Sequence, residues 1–167
     1  EDPQVYNAVN LLEHAISLLD EKAMSAFILS RAQSLKEPRL ARILALLGAP
    51  EDARLLLSGF LEDDDVSLRI RAAGALCEVG DARLGLSRLR AIVSNSGIAA
   101  RDRLKAAEKL KSVGLLCHAA IAFARIVRDD SVEVPHRTRA AIAFDELQHR
   151  RNHIVWDSLM EILQDRK

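Results

Sequence analysis

The sequence predicts an all-α chain: an α-solenoid, a right-handed superhelix of about four to five antiparallel helical hairpins. Three observations lead there. Of the 167 residues 49% are apolar but only 4% aromatic, so the apolar mass is Ala, Leu, Ile and Val, which suits closely packed helices. Seven glycines and four prolines are too few for the many tight turns of an all-β fold of this length. Gly48, Gly80 and Gly114 also stand 80 − 48 = 32 and 114 − 80 = 34 residues apart, a helical-hairpin period, and a further step of 34 reaches Gln148.

The opening segment carries one helical stripe in Val5, Ala8, Val9, Leu12, Ile16 and Leu19. After Asp20-Glu21, the residues Met24, Phe27, Ile28 and Leu35 suggest a second helix. This pair departs from the columns that follow, so residues 1–36 are expected to be a degenerate repeat or an end cap. Residues 37–167 then form four repeats, continuous with the first segment in one domain.

Within each repeat, the positions before the frame point share residue types. Eight before it stand Leu40, Ala72, Ala106 and Ala140, and seven before it Ala41, Ala73, Ala107 and Ala141. Four before it come Leu44, Leu76, Leu110 and Phe144, and one before it Leu47, Val79, Val113 and Leu147. These offsets lie on one face of a helix, and the alanine pair admits a close neighbour. Leu76, Leu110 and Phe144 are therefore expected in the core. A second stripe follows each frame point: Leu57, Leu89, Phe123; Phe60, Ile92, Ile126; Leu61, Val93, Val127. In the last unit it falls two residues late, at Leu159, Ile162 and Leu163, which places a longer turn at residues 148–152.

Start signals agree. Pro3, Pro38, Pro50 and Pro135 sit where helices should begin, since a first-turn proline loses no helical hydrogen bond. Asp2, Ser67 and Asp81 are candidate N-caps. Glu62-Asp63-Asp64-Asp65, Ser94-Asn95-Ser96-Gly97 and Asp129-Asp130-Ser131 read as connectors.

The run from Leu68 to Asp81, with its paired arginines, Ala72-Ala73, Leu76, Val79 and Gly80-Asp81 behind the acidic Asp63-Asp64-Asp65, resembles the HEAT-like repeat, in the form also found in phycobilin lyases. Arg103–Gly114 and Arg137–Leu147 follow the same pattern more loosely, and the resemblance covers roughly residues 37 to 165. A tetratricopeptide-like array is the structural runner-up, from the spacing of Gly114, Ala119 and Phe123. The HEAT-like resemblance implies second helices along a concave side, and pairing of the repeat's arginines with connector acids. A catalytic branch, the deoxyhypusine hydroxylases, binds iron through His-Glu dipeptides; this chain has only the reversed Glu13-His14.

Charge balances at 24 Lys+Arg against 24 Asp+Glu, so no global field draws the chain to nucleic acid or an anionic membrane. No apolar run approaches the ~18 residues of a membrane span. Cys77 and Cys117 cannot make a disulfide framework and are expected as buried small hydrophobes in a cytoplasmic setting. The first residue is Glu1, and a piece of a longer polypeptide is expected. His149, His153 and Asp157 have ligand spacing on a continuous helix, but the expected turn breaks that face. No phosphate-cradling glycine loop and no nucleophile elbow is present, so neither a catalytic residue, a metal nor a cofactor is expected.

The expected function is a non-catalytic interaction scaffold that binds another protein or another domain of its own polypeptide. Nucleic-acid binding and bilin-lyase-like ligand handling are the alternatives. The partner-facing candidates are Arg88, Arg125, Arg128, Trp156, Asp157 and Glu161, with Ser87 and Ala91 beside them. Trp156, the only tryptophan, would be an interface anchor or a cap on the open end of the core. Arg71, Arg103 and Arg139 are expected to pair with Asp64, Asp65, Asp129 and Asp130 as a structural ladder between repeats.

Overall fold

A computed structural model of the chain describes residues 21–149. They form eight helices: α1 (Glu21–Leu35), α2 (Arg39–Leu46), α3 (Pro50–Phe60), α4 (Val66–Glu78), α5 (Ala82–Ser94), α6 (Ala100–Ser112), α7 (Leu116–Val127) and α8 (Val134–His149). No strand occurs among the described residues. Consecutive helices pack together along the whole series. Contacts also join next-but-one helices: α2, α4, α6 and α8 touch in sequence, as do α1 with α3 and α5 with α7. The even helices, which touch in series, are called the first-helix layer, and the odd helices, joined as α1 with α3 and α5 with α7, the second-helix layer.

The three glycines of the frame close the first helix of each hairpin. Gly48, Gly80 and Gly114 have φ of 81°, 102° and 81°, a left-handed conformation that costs glycine nothing sterically. The bond pattern is the same each time: the Ala49, Asp81 and Leu115 amides donate to the Leu44, Leu76 and Leu110 carbonyls at 3.0, 2.9 and 3.0 Å. This is the Schellman closure, which satisfies carbonyls left over at a helix end and turns the chain back within two residues. Lys36, at φ 47°, ends α1 in the same conformation without a glycine.

The core runs through every hairpin. Ala72, Ala73, Ala106, Ala107, Leu44, Leu76 and Leu110 are buried, as are Leu57, Leu89 and Phe123 opposite them. Small residues set the spacing within a hairpin: Ala53, Gly85 and Ala119, each five after the frame glycine, are buried. At Gly85 a Cβ would stand 2.4 Å from the Ala73 carbonyl oxygen and 2.6 Å from Cys77 Sγ, so α4 and α5 meet there backbone to backbone.

Several expectations need correction. Phe144 is half-buried and Ala141 exposed, where the matching Leu76, Leu110, Ala73 and Ala107 are buried. Phe27 and Leu35 of α1 are exposed, while Ala32 supplies the inward face. Cys77 and Cys117 are half-buried thiols rather than buried ones. Ser67 is not an N-cap; the cap of α4 is Asp65, whose carboxylate accepts the Ser67 amide at 2.8 Å. Asp81 caps α5 as expected, accepting Leu84 N–H at 3.2 Å. Helix α8 continues through Gln148 and His149, so the turn placed at 148–152 does not begin before His149. The opening stripe at residues 5–19, together with Pro3, Asp2, His153, Trp156, Asp157, Glu161, Leu159, Ile162 and Leu163, lies outside the described residues.

Candidate interaction surface

Arg71, Arg103, Arg137 and Arg139 of the repeat motif are engaged with carboxylates, though not always the expected ones. Arg103 is nearly enclosed, 4% exposed, and both its terminal nitrogens donate to Asp129 Oδ2 at 2.8 Å, which ties α6 to the α7–α8 connector. Ser131 and the Arg103 guanidinium together hold the Asp129 carboxyl down to about 2. Arg137 pairs with Asp130 at 2.8 Å. Arg71 instead reaches Glu37, in the α1–α2 connector, at 3.3 Å, and Arg139 reaches Glu108 on α6 at 3.1 Å. Asp64 and Asp65 take no part in that ladder. Asp65 is spent on capping α4, while its neighbour Asp63 bonds Lys36 at 2.6 Å, which depresses the Asp63 carboxyl.

The larger ladder runs between first helices and had no counterpart in the sequence reading. Glu78 of α4 is shared by Arg42 of α2 at 3.1 Å and Lys109 of α6 at 3.3 Å. Lys111 meets Glu146 of α8 at 2.6 Å. The Lys109 stem crosses Gly74, where a Cβ would stand 1.8 Å from its Cε, so the missing side chain is what lets the lysine reach back to Glu78. Each of these pairs spans 31 to 36 residues, about one repeat (109 − 78 = 31, 78 − 42 = 36). They are mostly exposed and worth about 0–1 kcal/mol each, so they orient neighbouring hairpins more than they stabilise them.

The second-helix layer differs. Arg88 is held by Glu62 at 2.7 Å, and Arg125 donates to the Ser94 hydroxyl. Ser87, Ala91 and Arg128 are exposed. The structure adds Arg83 and Arg90, which the sequence reading passed over: with Leu86, Ser87, Ala91 and Ser94 they line a groove of about 440 Å³ on α5. Their seven-residue spacing, opposite Leu89 and Ile92, was the available signal. Burial, then the charge of Arg90, pushes the His118 imidazole of α7 below its usual range. A second groove, of about 430 Å³, lies on the first-helix layer among Arg39, Arg42, Ile43, Leu46 and Arg71.

Among the described residues, no three His, Cys, Asp or Glu side chains gather as a metal set. No described helix is long and apolar enough to cross a membrane. In comparisons with known proteins, no family model, curated protein or solved structure matches the chain.

Proposed function

We propose that the chain is a non-catalytic protein-interaction module, a HEAT-like α-solenoid that acts in the cytoplasm and presents its second-helix layer to another protein or another domain of the same polypeptide. One observation carries this reading: α5 and α7 use charge differently from the first-helix layer. Arg42, Arg71, Arg103, Lys109, Lys111 and Arg139 of the first-helix layer are paired with carboxylates of neighbouring elements, whereas α5 and α7 contain four arginines (Arg83, Arg88, Arg90, Arg125) and no carboxylate, with Asp81 and Arg128 as caps. Among the described residues each hairpin packs against the next, and in a solenoid such packing would leave this layer extended and open. The pairing of Arg71, Arg103 and Arg139 takes away the basic ridge on which a nucleic-acid reading of the repeat motif would rest.

Cross-linking of the chain to its captured partners, mapped by mass spectrometry, tests this. Cross-links concentrated on α5 and α7, and lost in Arg90→Glu but not in Arg101→Glu, are the expected result. Links spread evenly over both layers and indifferent to Arg90→Glu would overturn it.

A further inference from the structure

Helix α5 has two opposed faces. Gly85, Leu89, Ile92 and Val93 are buried, and across the helix axis Arg83, Ser87, Arg90 and Ser94 are exposed. The exposed four follow at steps of four, three and four residues, a straight stripe about 16 Å long. Arg125 of α7 donates to Ser94 Oγ and so adds a third guanidinium at its end. Asp81, at the head of α5, is engaged as its cap, and Glu62 pairs with Arg88 on another side of the helix. Among the described residues, no carboxylate pairs with Arg83 or Arg90.

We infer that this stripe is a docking track for an acidic, extended peptide segment of a partner protein. The inference rests on the interaction-module reading and specifies the chemistry of the partner. Guanidinium groups receive carboxylates through two parallel hydrogen bonds, and Ser87 and Ser94 offer hydroxyl donors between them. Arg83 and Arg90 would meet the ligand without first giving up an ion pair. The small side chains of Ser87 and Ala91 let a peptide backbone lie close to the helix, and Leu86 gives an aliphatic residue a place to rest. An extended chain advances about 3.3 Å per residue, so about five residues cover the stripe. Nucleic acid fits less well. No aromatic side chain stands on the stripe to stack a base. Three guanidiniums also fall short of the ~6–10 phosphate contacts that hold a duplex.

The test is fluorescence anisotropy on the full chain at low ionic strength, with a labelled peptide of alternating glutamate and alanine. A lysine–alanine peptide and a single-stranded oligonucleotide are titrated in parallel. The acidic peptide should bind, and Arg83→Glu with Arg90→Glu should weaken it at least about tenfold with an unchanged melting temperature, charge reversal at a docking patch being repulsive. Arg101→Glu, on the first-helix layer, should leave the affinity as it was. If the double reversal lowers the melting temperature, Arg83→Gln with Arg90→Gln takes its place; any loss of affinity beyond that of Arg101→Glu then supports the track. No binding of the acidic peptide, equal binding by the double variant, or tighter binding of the oligonucleotide that the same variant abolishes would each overturn the inference. Cross-links to α5 and α7 from a partner without an acidic segment would overturn it too, and would leave the interaction-module reading standing.

Discussion

Gly85 and Gly59 show how differently one residue type is used. Adding a methyl at Gly85 drives it into the Ala73 carbonyl and Cys77 Sγ, neither of which can leave without moving α4. Gly85→Ala should therefore destabilise the chain by about 1–3 kcal/mol in urea unfolding. At Gly59, also helical, nothing lies within 4 Å of the added carbon, and Gly59→Ala should stabilise by up to about 1 kcal/mol. Equal responses at the two sites would contradict the described packing. Asp129 supplies a pH dependence. Its folded carboxyl sits near 2, below the ordinary 3.8, so its contribution is fully present above about pH 4 and fades as the pH falls through 2. Asp129→Asn should flatten the loss of stability over that acid interval, with Arg103 left enclosed and uncompensated. An acid-unfolding curve of unchanged slope would show that the Arg103–Asp129 pair is not coupled to folding. The sequence placed Arg103 and Asp129 in one ladder of motif arginines and connector acids, because such acids stand where the motif expects them, without assigning the one to the other. It could not assign Arg71 to Glu37 or Arg139 to Glu108, since reach across neighbouring helices depends on rotation and side-chain length, which a repeat column does not record.

At the scale of the element, the repeat columns were legible because burial and turn chemistry both recur with the period. A position that returns as Leu44, Leu76 and Leu110 faces the same surroundings each time. Leu110→Ala should cost about 2–5 kcal/mol, and Gly114→Ala about 1–2 kcal/mol from its left-handed φ alone; both are read from denaturant midpoints. A second recurring device went unread. Asp63, Asn95 and Asp129 each lie 15 residues after a frame glycine, and each side chain accepts the backbone amide two residues on, at 3.0, 2.9 and 3.0 Å. These Asx turns stand in the connectors that follow α3, α5 and α7. They were hidden because Asp and Asn look alike as loop composition and differ as column members. The arginine stripe of α5 escaped for another reason: it belongs to one helix and recurs nowhere, so no comparison among repeats could bring it forward.

For the whole molecule, the proposed solenoid predicts an elongated particle. Small-angle scattering should give a radius of gyration clearly above the about 15 Å of a compact chain of this length. A value at the compact limit would sink the solenoid arrangement. Leu44→Ala and Leu110→Ala, on α2 and α6 with α4 between them, should be additive within about 0.5 kcal/mol. The uneven spacing of the frame glycines has a further consequence. Counting back from the next frame point, α4 begins at 80 − 66 = 14 and α6 at 114 − 100 = 14, while every Asx turn keeps its distance of 15 from the glycine before it. The two residues by which 34 exceeds 32 therefore fall between an Asx turn and the helix it introduces, at Ser96 to Ala99 and not at Asp64-Asp65. An inserted residue should therefore be felt unequally: at this joint it should move the denaturant midpoint less than the same insertion inside α5 or α6.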